Sequence, residues 1–202
     1  HIRIDDTVVM HPRPRSGLVL QDHGLLPWST VRENARLGLN IWEFYGSDGR
    51  HAPADEKLVP GQADQRVDDW LKKLGIESLQ NQYPLHLSRG QRQRTAIART
   101  LAMQPDLLLL DEPFSALDAP TREDLQNFII NLHRESDLTY VIVTHDIEVA
   151  VIMGKKILVL QKGCNQEAQI MDNACAGFTD ARKQDEFQTT CDDLRNLLGS
   201  MT

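Results

Sequence analysis

Leu87–Asp118, LSRGQRQRTAIARTLAMQPDLLLLDEPFSALD, decides how the rest of this 202-residue chain is read. It runs from a glycine-broken polar turn through an alanine- and arginine-rich helix to an apolar run of leucines, and it ends on two adjacent carboxylates. The leucines lie between Gln104-Pro105-Asp106 and Asp111-Glu112-Pro113. That is the length of one fully buried strand, and the flanking prolines favour strand over helix. Asp111 and Glu112 are then expected to leave the sheet together, where open α/β sheets bind ligands. One carboxylate there can hold Mg2+ directly or through water, while the other orients or deprotonates a water for attack on a phosphate. A bare Asp-Glu pair more often only flanks a strand, so its meaning depends on what surrounds it.

Composition narrows the class. With 41% apolar residues the chain is ordinary for one domain with a sizeable core. No run approaches the roughly 18 apolar residues of a membrane span, and no charged start precedes an apolar segment as in a signal peptide. Twenty-two basic against 29 acidic residues give a net charge of −7. That balance argues against a general nucleic-acid binder, whose affinity comes from neutralising phosphates. Arg89, Arg92, Arg94 and Arg99 cluster on the helix after the polar turn; such clusters are usually a solvated face, and only the nearness of Ser88 and Gly90 suggests an anion. Cys164, Cys175 and Cys191 contain no CxxC pair, so neither a zinc site nor a disulfide framework is indicated, and free thiols in a reducing compartment are expected.

Along the chain, Ile2–Val9 alternates around Asp5-Asp6 as a small hairpin does, and Gly17–Leu20 reads as a short strand delivering Gln21. Thr30 with Glu33 makes a capping box that opens a helix at Val31. Residues 40–62 read as loop with short helical pieces. Val67, Trp70, Leu71 and Leu74 form one apolar helical face, ended by Gly75. Beyond Asp118, Pro120 suits a first helical turn, and Leu125, Phe128, Ile129 and Leu132 form a core-facing stripe. Thr139–Val143 is a β-branched strand that presents Thr144 and His145 at its end. A short helix over Ile147–Met153, a strand over Lys156–Leu160 and a closing amphipathic helix through Phe187, Cys191, Leu194 and Leu198 complete the chain.

Five of these segments, in this order, resemble the ATP-binding subunits of ABC transporters. Gln21 is similar to the Q-loop glutamine, Leu87-Ser88-Arg89-Gly90-Gln91 to the LSGGQ signature, Leu107–Glu112 to the Walker B strand with its catalytic glutamate, Ser115–Asp118 to the D-loop, and His145 to the switch histidine. The resemblance runs from about Ile2 to Ile157 and departs at Arg89, where the pattern has glycine. Within the family, LLPWSTVRENARLGL resembles the importers of nitrate, sulfonate and taurine.

The resemblance implies an α/β fold, a partial RecA-like P-loop NTPase sheet with an inserted helical subdomain. One ABC-type ATPase domain would span residues 1–202, with the helical subdomain at about 29–103 and a C-terminal extension at about 163–202. It implies ATP and Mg2+, with Glu112, His145 and Gln21 as catalytic residues and Asp111 and Gln21 at the metal. Ser88, Gly90, Gln91 and Asp118 would touch nucleotide; the small residues of the turn let another subunit's phosphate approach the backbone at a helix N-terminus. The implied partners are a second ATPase subunit and a transmembrane permease contacted through Gln21–Leu39, where Leu25, Leu26 and Trp28 offer apolar surface. No nucleic acid is implied, and the place is the cytoplasmic face of the cell membrane.

The family's phosphate cradle, GxxxxGK[ST], does not occur among these residues. Gly154-Lys155 is the only Gly-Lys pair, with Val149 where the first glycine should be and Lys156 where the hydroxyl should be. The resemblance places that cradle, with its strand and helix, before His1, and a sheet without that strand is expected to cover the leucine strand poorly. An ATP-hydrolysing importer subunit is therefore weighed against a degenerate, non-hydrolysing subunit that only completes or scaffolds a partner's ATP site. DNA-repair and translation ATPases with similar signatures usually add coiled-coil insertions and basic surfaces, which this acidic chain lacks.

Overall fold

The computed structural model describes residues 1–160, 169–178, 182 and 185–199. Two compact units emerge: His1–Leu117 with Asp137–Val141, and Asp118–Ser136 with the described residues from Ile142 onward.

In the first unit, β1 (Arg3–Ile4) and β2 (Thr7–Val8) form the expected antiparallel hairpin. Its turn residues Asp5 and Asp6 sit at φ 47° and 58°, a left-handed conformation that aspartate tolerates. β3 (Ser16–Val19) then runs parallel to β4 (Leu107–Asp111), in register from Ser16 beside Leu107 to Val19 beside Leu110. β5 (Thr139–Val143) lies on the other side of β4. The leucine strand is not buried on both faces, as its unbroken apolar run suggested. Leu108 and Leu110 are fully buried, whereas Leu107 and Leu109 are half-buried and Leu18, beside Leu109, is 51% exposed. Period-two alternation is thus present in the burial although absent from the sequence.

Helices cover the closed face. α1 (Val31–Tyr45) opens on the Thr30–Glu33 capping box, with both reciprocal hydrogen bonds formed. It buries Val31, Ala35, Leu39 and Trp42. This helix extends into the 40–62 segment read as loop, because Trp42 continues the apolar face and only Gly46, at φ 70°, stops it. α2 (Gln62–Lys73) buries Val67 and Leu71, with Leu74 just beyond it; Trp70 stays half-buried, with Lys73 over its ring. Two short 3-10 turns, Glu77–Leu79 and Pro84–His86, lead into α3 (Arg89–Leu101).

α3 packs against α1, α2 and β3. A Cβ on Gly17 would lie 2.3 Å from Thr100 Cγ2, and one on Gly38 would lie 2.7 Å from Met103 Sδ. Those two glycines let β3 and α1 approach the far end of α3, and side chains there would cost about 1–3 kcal/mol in overpacking.

In the second unit, α4 (Ala119–Glu135) carries Pro120 in its first turn and buries Leu125, Ile129 and Ile130. Its core stripe is rotated from the expected one: Phe128 and Leu132 are only half-buried, and Gln126 is buried instead. α5 (Ile147–Met153) precedes β6 (Lys156–Val159), which pairs antiparallel with β7 (Gln169–Asp172). Sequence reading did not foresee β7. α6 (Asp185–Gly199) packs against α5 and buries Phe187, Cys191 and Leu194, while Leu198 is 37% exposed. Burial pushes the Cys191 thiol above its ordinary value. Cys164 lies outside the described residues. Among them, no helix is long and apolar enough to cross a membrane.

Candidate functional site

The parallel register builds one end of the site. The register ends with Val19 beside Leu110; Gln21 follows β3 by two residues, and Asp111-Glu112 follow Leu110 directly. Neighbouring strands lie about 4.8 Å apart, so Gln21 and both carboxylates leave the sheet at one carboxyl edge. Asp111 closes β4, and Glu112 turns out of it at φ 46°, the left-handed region that non-glycine residues seldom enter. The turn is held by the Ser115 hydroxyl, which donates to the Glu112 carbonyl at 3.1 Å, and it carries Pro113 and Phe114 into the interior. An unfavourable backbone conformation at a candidate catalytic residue is the pattern expected where geometry is imposed for chemistry. Asp111 and Glu112 are half-buried and Gln21 is exposed.

The turn that carries Gln21 is fixed from behind. The Leu20 carbonyl accepts the His23 N–H at 2.9 Å, and His23 and Gly24 are both left-handed, at φ 69° and 55°. Further on, buried Asn34 of α1 accepts the Leu26 N–H at 2.8 Å and donates to the Leu26, Ser29 and Thr30 carbonyls. Trp28, between those anchors, is 72% exposed, while Leu25 and Leu26 are half-buried.

Ser88 is the N-cap of α3. Its hydroxyl accepts the Gln91 N–H at 3.2 Å, and the Gln91 side chain accepts the Ser88 N–H at 2.8 Å. This capping box leaves the Ser88 O–H proton available to another acceptor. Ser88 and Arg89 are exposed, and Gly90 is half-buried. Ser88 lies eleven residues before Arg99, about 16 Å along the helix. The arginine cluster is not simply a solvated face, since Arg92, Arg94 and Arg99 are half-buried. Arg92 donates to the Pro84 carbonyl, Arg94 to that of Leu74 and Arg99 to those of His23 and Gly24, so three of the four arginines tie α3 to the chain's own loops.

Two candidates belong to the second unit. Asp118 is the N-cap of α4, accepting both the Thr121 N–H and the Thr121 hydroxyl at 3.0 Å. Those bonds, the backbone one first, hold its carboxyl below the ordinary value. His145 is exposed in the turn from β5 to α5. Its neighbours are fixed: Thr144 accepts the Asp146 N–H, and Asp146 caps α5 through the Glu148 and Val149 N–H groups.

The profile of the family described as ABC transporter matches residues 1–115, more than half of the chain. The chain belongs to the ABC transporter family. Relatives at 41% and 31% identity agree with that assignment. The first is the taurine import ATP-binding protein TauB of Escherichia coli (strain K12), matched over 152 residues, 75% of this chain and 54% of that protein. The second is the aliphatic sulfonates import ATP-binding protein SsuB of Bacillus cereus (strain ZK / E33L), matched over 187 residues, 93% of this chain and 67% of that protein. The chain thus spans about half the length of the TauB proteins it matches. Among solved structures, the dimeric post-hydrolysis state of the ATP-binding cassette MJ0796 bound to ADP and Pi is similar with a TM-score of 0.58 and 34% identity, over 71% of this chain and 57% of that one. As in the ABC cassettes it resembles, the fold is α/β, with parallel pairing at its sheet.

Sequence reading missed Asn34 and Arg99 as site-shaping residues. Asn34 was detectable, because it falls on the apolar face of α1 beside Val31 and Ala35, where a polar side chain must find partners. Arg99 was legible only as one more charge on a helix.

Proposed function

We propose that this chain is the ATP-binding and ATP-hydrolysing subunit of an importer, with taurine or a related aliphatic sulfonate as the imported solute. The observation that supports this reading is the parallel register of β3 and β4, which ends the strands beside each other at Val19 and Leu110, just before Gln21 and Asp111-Glu112. The similarity to TauB and SsuB supports the solute class.

The donor set fits Mg2+ carried with ATP. The Asp111 carboxylate and the Gln21 amide oxygen are hard ligands, and two protein ligands leave positions for phosphate oxygens and water, as this ion prefers. Among the described residues no cluster of three or more His, Cys, Asp or Glu forms an all-protein cage. When bound, Mg2+ neutralises charge on the phosphate oxygens. Glu112 accepts a hydrogen bond from the attacking water and takes its proton, as the water oxygen bonds to the γ-phosphorus and the bond to the β-phosphate bridge breaks. His145 hydrogen-bonds the γ-phosphate. Ser88, Gly90 and Gln91, with Asp118, serve nucleotide held by a second ATPase subunit, and the Gln21–Leu39 segment, with Trp28 outermost, meets a permease on the cytoplasmic face of the membrane. No observation favours the non-hydrolysing alternative.

Hydrolysis by the natural protein assembled with its permease tests the reading. Glu112→Gln is expected to lower ATP turnover about a hundredfold or more, and turnover equal to that of the unsubstituted complex would refute it.

A further inference from the structure

Gln21 sits on a turn closed locally by one backbone bond, from the His23 N–H to the Leu20 carbonyl. β3 ends at Val19, and the two residues that follow Gln21-Asp22, His23 and Gly24, are both left-handed. A second link to this turn comes from 75 residues away. Arg99 Nη2 donates to the His23 carbonyl at 2.8 Å, and Arg99 Nη1 donates to the Gly24 carbonyl at 2.6 Å. One planar guanidinium thus takes two successive carbonyls, a geometry that its rigid fork suits and a lysine cannot reproduce. Arg99 is half-buried, and that desolvation pushes its pKa below the ordinary arginine value.

The helix turn that carries the arginine is packed against the strand. The arginine's neighbour Thr100 donates to the Ala96 carbonyl at 3.0 Å and packs against Gly17 in the strand that leads to Gln21. The turn is therefore gripped from below by α3 packing on β3 and from the side by the Arg99 fork. The other end of the same helix is Ser88.

We propose that Arg99 is a positioning residue for ATP hydrolysis: its bonds to the His23 and Gly24 carbonyls aim Gln21, and its place on α3 joins that turn to the Ser88 end. This rests on the role given to Gln21 above. Arg99 touches neither nucleotide nor water, and it acts through the turn. A nucleotide pressing on Ser88 in one site thereby bears, through a rigid helix, on the glutamine of the chain's own site.

The test uses the natural protein assembled with its permease and measures kcat and KM for ATP, thermal stability and amide hydrogen exchange. Gln21→Ala and Arg99→Ala are each expected to lower kcat about tenfold, with KM moving less than about twofold. The double variant should be no slower than the worse single one, because both changes act on one element. Arg99→Lys, which retains a cation and a good helix former, should fall between wild type and Arg99→Ala, and it carries the test if the alanine variant does not fold. Full kcat in both Arg99 variants, or a double variant slowed by the product of the single effects, overturns the proposal. If Gln21→Ala alone leaves turnover intact, the reading of the nucleotide site fails. The clamp is then decided by exchange at the Asp22–Leu25 amides, which accelerates in Arg99→Lys if the proposal holds and stays unchanged if it does not.

Discussion

The two ends of α3 are built on opposite plans. At the start, Ser88 and Gln91 are exposed or half-buried and satisfy each other within four residues, and the nearest side-chain bonds out of the helix run from Arg92 and Arg94 to the Pro84 and Leu74 carbonyls. At the far end, Thr95–Ala98, Thr100 and Leu101 are buried, and Arg99 reaches partners 75 and 76 residues away. An end that is complete by itself can be offered to another molecule; an end wired into its surroundings sets the geometry of this one.

If that contrast is right, damage to the far end should fall on stability and damage to the near end on turnover. Ile97→Ala, at a fully buried position, is expected to cost about 2–5 kcal/mol in denaturant unfolding; a loss as small as that of a surface site would break the comparison. Gly17→Ala forces a methyl toward Thr100 and should cost about 1–3 kcal/mol by the same measurement. Ser88→Ala removes a cap and should cost only about 1 kcal/mol, while turnover in the assembled complex falls much further than that stability change explains. Equal losses for Ser88→Ala and Ile97→Ala would mean that both ends are structural.

The smallest effect separates the two N-caps. Asp118, held below the ordinary carboxylate value by the Thr121 N–H and hydroxyl, supports α4 when ionised. Because its folded pKa is the depressed one, that support is fully present above about pH 4 and is lost as pH falls through the folded value. Asp118→Asn should flatten that acid limb in a pH series of thermal unfolding, whereas Ser88→Ala, which removes no titrating group, should leave it in place.

Much of this was legible in the sequence because the signals were local. The capping box at Thr30, the strand ending at Asp111 and the helix over Ile147–Met153 each follow from a short run of residues, and the structure places them there. Misreadings came where burial depends on distant partners. The four leucines carry no alternation, so only their burial in the fold, Leu108 and Leu110 buried and Leu107 and Leu109 half-buried, reveals which face is closed. The rotated stripe of α4 and the pairing of β7 with β6 are likewise set by tertiary contact. The arginines of α3 read as a charged face because nothing in their spacing points to carbonyls in other loops. The parallel pairing that ends β3 and β4 side by side at Val19 and Leu110 was not legible in either segment alone, because it too is a tertiary contact.

The most direct test asks whether the carboxylate edge of one subunit and the serine turn of another act on one nucleotide. Sedimentation of the natural protein bearing Glu112→Gln, with and without MgATP, measures this. The account predicts that MgATP drives this variant to a dimer and that adding Ser88→Arg abolishes the association. A Glu112→Gln protein that dimerises equally well with Ser88→Arg present, or that fails to respond to MgATP, would contradict it.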